Sequence, residues 1–338
     1  MEYIKQQLKN LLSIPSPSGF TRKAADYIMD ELKTLGYEPY MTTKGCVGVC
    51  LGGEGNPILL GAHVDTLGGM VAEIKSNGRL RLTRIGGLQA NNVEAENCVI
   101  HTRFGKTFSG TMQLNQPSAH TNEKYAESKR DFEGMEVVID EDTDSREATE
   151  ALGIAVGDFV CFDPRTVITE TGYLKSRFLD DKLSAAILFG IAREIKDGAL
   201  KPRRKVYACL TVYEEVGHGC SAVVPEDVAE LLCVDMGCVG EGLGCNERKV
   251  SICAKDSCGP YDYDMTTALI RIAKEQNLAY AVDVYPHYCS DADAALSAGR
   301  DLRHALIGPG VYASHGYERS HLEGVENTLA LIRGYLTA

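Results

Sequence analysis

The chain has 338 residues, 44% hydrophobic and 24% charged, and a formal net charge of -12 at pH 7. That is a globular composition, long enough for one large domain or two ordinary ones with an ample core. The acidic balance argues against nucleic acid or anionic membranes as main partners.

No apolar run approaches the ~20 residues of a membrane helix. The opening Met1-Glu2-Tyr3 leads into a helical pattern instead of the basic and apolar regions of a secretory signal, so a cytoplasmic location is expected. Twelve cysteines are present without a CxxC spacing. Cys161, Cys209, Cys233 and Cys253 lie in apolar, strand-like runs, which predicts reduced, mostly buried thiols.

Tyr3, Ile4, Leu8, Leu11 and Leu12 recur at helical spacing until Ser16-Pro17-Ser18-Gly19 breaks the pattern. A second amphipathic helix follows, with Thr21 at the cap position and Ala24, Ala25, Ile28, Met29, Leu32 and Leu35 on its inner face. Short strands are expected near Tyr40 and over Val47 to Leu51. Ile58-Leu59-Leu60-Gly61-Ala62 reads as a buried strand running into His63-Val64-Asp65.

From about Gly69 to Phe162 the texture changes to short β-rich runs separated by Gly, Asn and Asp turns, with helical signal only near Tyr125 and over Ser145 to Leu152. This predicts a small β domain, 69–162, inserted into an α/β domain formed by 1–68 and 163–338. Alternation then resumes. Helices are expected at Asp181 to Lys196, near Glu226, at Met265 to Glu275, Ala292 to Ala298 and Glu323 to Leu336. Strands are expected at Lys205 to Thr211, Leu231 to Asp235, Val250 to Ala254, Ala279 to Tyr285 and His304 to Gly308.

Polar groups fall where those strands end or in the loops beyond: His63 and Asp65, Asp180-Asp181, Glu214-Glu215, Asp235, and His315 in Ala313-Ser314-His315-Gly316. Each has an ordinary structural explanation alone. An EE pair makes an exposed acidic turn, Asp180-Asp181 caps a helix, and Asp235 closes a strand. Taken together they fit one site, because the carboxyl ends of parallel strands share one edge of a sheet. In His63-Val64-Asp65 the carboxylate can accept the second ring N–H and set the ligating tautomer. Two histidines and several carboxylates, with no cysteine required, suit two bridged zinc, cobalt or manganese ions. Of Glu214 and Glu215, one then serves as ligand and its neighbour as general base toward the bridging water.

Gly61-Ala62-His63-Val64-Asp65-Thr66-Leu67-Gly68, Phe178-Leu179-Asp180-Asp181-Lys182, Tyr213-Glu214-Glu215-Val216-Gly217, Cys233-Val234-Asp235 and Tyr312-Ala313-Ser314-His315-Gly316 resemble the tetrahedral aminopeptidases, metallopeptidase family 42. The resemblance spans nearly the whole chain. It implies a mixed, mostly parallel α/β sheet flanked by helices, with an inserted barrel-like domain that serves assembly and substrate access. It also implies self-association to dimers or dodecamers.

For individual residues the resemblance implies that His63 and Asp235 hold one metal, Glu215 and His315 the other, and that Asp180 bridges them. Glu214 would be the base and Asp65 would orient His63. The activity implied is removal of an N-terminal residue from peptides by a hydroxide bridging two metals. A deacylase of N-acyl amino acids and a non-catalytic oligomeric scaffold are the alternatives. Two departures stand out. The family's Arg-Tyr-x-His is Tyr312-Ala313-Ser314-His315 here, with His321 as a second candidate for the last ligand, and the insert reads Gln113 to His120 where many members have Pro-Pro-His.

Overall fold

The computed structural model describes residues 1–338. They fall into two compact units, one made of Met1–Asp65 with Arg165–Ala338, the other of Thr66–Pro164.

The first unit is built on a mixed sheet whose central run is parallel. Val206–Thr211, Ile58–His63, Glu230–Val234 and Arg303–Tyr312 lie side by side in that order and run the same way. Val47–Gly52 adds antiparallel to Val206–Thr211. Every residue of Ile58–His63 and of Glu230–Val234 is buried, as strands covered on both faces must be. Helix Leu179–Lys196 is the main cover: its residues from Leu179 to Ala192 are buried, matching the near-continuous apolar run Leu183 to Ala192. At about 1.5–3 kcal/mol for each large aliphatic side chain removed from water, Leu183, Ile187, Leu188 and Ile191 make it a principal contributor to the core. Lys182 is buried with them, and its ammonium donates to the carbonyls of Leu11 and Ile14 at the end of helix Glu2–Leu12, where helix carbonyls lack partners.

Three expectations differ in detail. No helix forms near Glu226; the chain makes a 3-10 turn at Cys220–Ala222 and an irregular link to Glu230, with Pro225 lacking an N–H to donate. Thr21 occupies the cap position, yet its side chain makes no capping hydrogen bond. The sequence reading also missed Val167–Ile168, Tyr173–Ser176 and Glu318–His321, antiparallel strands that extend the sheet beyond Arg303–Tyr312. They are two to four residues long, too short for an alternating pattern to register.

The second unit is a closed six-stranded barrel. Its strands run in the order Gly68–Ile74, Leu80–Ile85, Met135–Ile139, Thr107–Leu114, Asn97–His101 and Phe159–Phe162. All neighbours are antiparallel, and closure leaves no free sheet edge. Val71, Leu82, Ile100, Met112, Val137 and Val160 are buried. Helix Arg146–Leu152 begins where the Ser145 hydroxyl accepts the Ala148 N–H. No helix in the structure is long and apolar enough to cross a membrane.

Close backbone approach in the first unit requires glycine at several positions, most tightly at Gly308. A Cβ on Gly308, inside strand Arg303–Tyr312, would lie 1.4 Å from the carbonyl oxygen of Asp235 on the neighbouring segment, beside the bond from Asp235 N–H to the Ile307 carbonyl. A backbone carbonyl cannot swing aside as a side chain can. Gly308→Ala is therefore expected to cost at least about 3 kcal/mol, the upper range for overpacking, read as a lowered urea midpoint; an unchanged midpoint would show that the two strands have room to separate.

Candidate active site

The parallel strands end together. Thr211 is level with His63, and Cys233 with Gly61, so the residues just beyond each strand meet above one edge of the sheet. Asp180 opens helix Leu179–Lys196, joined to Asp181 by a cis peptide bond. Glu214 and Glu215 form a 3-10 turn after Val206–Thr211, Asp235 follows Val234, and His315 sits between Arg303–Tyr312 and Glu318–His321.

Asp180 is at the centre. Its Oδ1 is 3.1 Å from His63 Nε2, and its Oδ2 is 3.5 Å from His315 Nε2. His63 Nε2 also lies 3.6 Å from Glu214 Oε2 and 3.9 Å from Asp235 Oδ2, and His315 Nε2 lies 3.7 Å from Glu215 Oε2. All the candidate ligands named from the sequence are thus within one constellation. Two sets of donor atoms, His63 with Glu214 and Asp235, and His63 with Asp180 and Glu215, each lie within 4.8 Å of one another. His321 is elsewhere: its Nε2 is 2.8 Å from the Thr171 carbonyl and its Nδ1 accepts from Glu323 N–H, capping helix Leu322–Thr337.

Asp65 works through different atoms from those its spacing suggested. His63 Nδ1 hydrogen-bonds the main-chain oxygen of Asp65 at 2.9 Å, while the carboxylate stands 3.6 Å off. That carboxylate instead accepts the N–H groups of Glu214 and Glu215 and the Ser18 hydroxyl. It holds the turn carrying both glutamates. Glu318 does the same on the opposite side, and sequence reading overlooked it. One of its oxygens accepts Asp180 N–H and the other His315 N–H, each at 3.0 Å. A carboxylate three residues after His315 was the only available signal.

Charge is concentrated here without internal compensation. Burial would lower His63, but Glu214, Asp180 and Asp235 outweigh it and hold the imidazole well above its ordinary value. Burial likewise opposes the protonated form of His315, and Asp180 lifts it to about 9. Asp180 is driven the other way: burial disfavours its charge, yet His315 and His63 keep it ionised far below the usual carboxylate range. Burial and then Asp180 push Asp235 up to about 7 and Glu215 well above its normal value. Burial raises Glu214 too, against the pull of His63. So many buried carboxylates cannot all be ionised beside two imidazoles alone.

The backbone is strained at the same places. Phe178, Tyr213, Ala313 and His315 have φ of 68, 73, 56 and 63°, among only seven non-glycine residues with positive φ in the chain. Each costs about 1–3 kcal/mol and persists where surrounding structure enforces it, most often at functional sites. Beside the glutamate turn, His218 stacks on Tyr213 with ring centroids 4.9 Å apart. Ser290 caps helix Asp291–Ser297, and Asp291 accepts Cys220 N–H and the Thr211 hydroxyl, bracing the sheet end rather than lining a pocket. Tyr288 from the same loop comes nearer, its Oη 3.5 Å from the carbonyl of Met236, next to Asp235.

Solved structures share this architecture. A TET aminopeptidase from a Thaumarchaeota archaeon superposes with a TM-score of 0.88 at 20% identity, covering 99% of this chain and 96% of its own. The TET1 peptidase of Pyrococcus horikoshii, described as assembling into a tetrahedron or a large octahedral shell, superposes with a TM-score of 0.86 at 22% identity, covering 99% of each. These show the fold. Sequence carries the assignment further, since the family model for M42 glutamyl aminopeptidase matches residues 45–331. YhfE of Bacillus subtilis (strain 168) is 42% identical over 331 residues, 97% of this chain and 96% of its own. The glutamyl aminopeptidase of Lactococcus lactis is 28% identical over 220 residues, 62% of this chain and 59% of its own. The chain belongs to the M42 family of metallopeptidases, and is a hydrolase acting on peptide bonds as an aminopeptidase.

Proposed function

We propose that the protein removes the N-terminal residue of peptides using two divalent cations per subunit, zinc in the first instance with cobalt or manganese as substitutes. The observation that carries this is Asp180, whose two oxygens face two different imidazoles. His63, Asp180 and Asp235 would hold one cation, and Asp180, Glu215 and His315 the other.

The residues fit such ions. Donors each about 2.0–2.2 Å from a shared ion are at most ~4.4 Å apart, close to the separations found here. Glu215 Oε1 is buried with no hydrogen-bond partner, a costly state unless something else binds it. Cations would also neutralise the surplus of buried carboxylate.

When bound, the ions supply Lewis acidity toward water and toward the scissile carbonyl. The protein's own groups do the rest. The His63 Nδ1 hydrogen bond to the Asp65 carbonyl places the proton on Nδ1 and leaves Nε2 free to ligate. The Asp65 carboxylate fixes the turn of Glu214 and Glu215, and Glu318 fixes Asp180 against His315. Glu214 takes the proton from the attacking water and delivers it to the departing amine. Self-association is part of the proposal, with the catalytic domain at 1–68 and 163–338 and the insert at 69–162 serving assembly and substrate access. It is supported by the shells described for the P. horikoshii TET1 peptidase.

The test is a panel of aminoacyl chromogenic substrates before and after chelation. Chelated protein is expected to lose at least about 100-fold in activity and to recover it with zinc, cobalt or manganese. Full activity after complete metal removal, or cleavage of N-acyl amino acids in place of free-amine substrates, overturns the proposal.

A further inference from the structure

Two cysteines stand apart from the apolar thiols of the core. Cys258 lies in the turn after strand Val250–Lys255, and Cys289 in the loop between strand Tyr280–Val284 and helix Asp291–Ser297. Both are exposed, whereas most of the chain's cysteines are buried. Their Sγ atoms are 2.7 Å apart, closer than the ~3.5 Å at which unbonded heavy atoms ordinarily rest.

The approach is set by hydrogen bonds of the flanking residues and not by the thiols. Strands Val250–Lys255 and Tyr280–Val284 are parallel neighbours. Beyond them Ser257 N–H donates to the Tyr288 carbonyl, Tyr288 N–H donates to Ser257 Oγ, and Ser257 Oγ–H donates to the Pro286 carbonyl, at 2.9–3.0 Å. Residues 257 and 288 are thereby clasped, and the next residue of each segment is a cysteine. On one side Asp256 Oδ1 accepts the N–H groups of Cys258 and Gly259, setting that turn. On the other, the reciprocal bonds of Ser290 and Asp293 begin the helix immediately after Cys289. Two solvent-facing thiols held in register by the main-chain and hydroxyl bonds of Ser257 have little conformational freedom left to lose when they join.

We propose that Cys258 and Cys289 form a redox-active dithiol that exchanges with low-molecular-weight disulfides, and that its oxidised form restrains the Tyr288 loop. In the first step one cysteine thiolate attacks the disulfide RSSR, forming a mixed disulfide and releasing RS⁻. The second cysteine thiolate then attacks the protein sulfur of that mixed disulfide and expels the other RS⁻. Two S–H bonds are lost and one S–S bond forms, while RSSR is reduced to two RSH. The consequence for the active site runs through Tyr288, next in sequence to Cys289 and 3.5 Å from the Met236 carbonyl; this part rests on the function proposed above.

The test uses the full-length reduced protein and glutathione disulfide as probe, with acid quenching, alkylation and peptide mapping by mass spectrometry. Cys258 and Cys289 are expected to lose alkylation together and to appear as one cross-linked peptide pair, reversed by dithiothreitol. Cys258→Ser and Cys289→Ser should each instead carry glutathione on the remaining cysteine. They should also need at least about 100-fold more glutathione disulfide than the wild type needs for closure, the advantage of an intramolecular second step. Both cysteines remaining alkylatable where the single variants take up glutathione overturns the site.

That arm involves no substrate, so its failure is distinct from failure of the proposed hydrolysis. In a second arm, oxidised and reduced wild type are expected to differ in turnover by about 2-fold or more, with Cys258→Ser unchanged at the glutathione disulfide concentration that closes the wild type, which is too low to modify the variant. Equal turnover of the two forms overturns the link to Tyr288.

Discussion

Glu214→Gln is expected to lower turnover by about 10²–10⁴-fold, the range that a positioned proton carrier contributes, while the protein keeps two metal ions per subunit and its thermal midpoint. The substitution preserves the length and shape of the side chain and removes its charge and its capacity to take up a proton. The turn that carries it is held through main-chain N–H groups by Asp65, so the local backbone should not move. Glu214 is also 3.6 Å from His63 Nε2 and within reach of Asp235, which makes it a possible ligand on distance alone. Metal analysis beside kinetics separates the two roles. Loss of one ion with activity would make Glu214 a ligand, and normal turnover would end the base assignment.

Asp180→Ala should have the opposite signature. Because its two oxygens address both histidines, its removal should release both ions and abolish activity by more than the 10–100-fold typical of residues that merely support a ligand. Asp235→Ala, affecting one side only, should retain about one ion per subunit. The ions and the turnover are read by elemental analysis and initial rates, with circular dichroism to check folding. Asp180 is buried and carries the Glu318 hydrogen bond on its main chain, which the variant keeps, so the fold is expected to survive. Retention of two tightly bound ions by Asp180→Ala would remove the bridging role and with it the present account of the centre.

Much of this centre was legible beforehand because the chemistry is written in residue types at strand ends. Ile58 to Ala62 announces a buried strand, and polar residues recurring at the ends of several such strands are explained together by one site. The barrel was legible for another reason: short alternating runs between turn residues cannot form the long helices that cover the flanking sheet. The helix expected near Glu226 failed because a connection this short, with a proline in it, has no room for one. Glu318 was overlooked because a lone acidic residue in a polar loop carries no periodicity, and its importance lies in two backbone N–H groups from segments far apart in the chain.

Local pattern pointed to an α/β chain with a β insert and to His63, Asp180, the Glu214-Glu215 pair and Asp235 gathered at strand ends, since each depends on neighbouring residues, while the resemblance to the family supplied the division of ligand roles among them. Folding in three dimensions was needed to choose His315 over His321 by position, to turn Asp65 from its neighbour's ring toward the backbone of Glu214 and Glu215, and to bring Cys258 against Cys289. The reason is physical: local pattern sets which face or end of an element a residue occupies, whereas contacts between residues separated by tens to hundreds of positions depend on strand order and on which backbone groups are left to be satisfied.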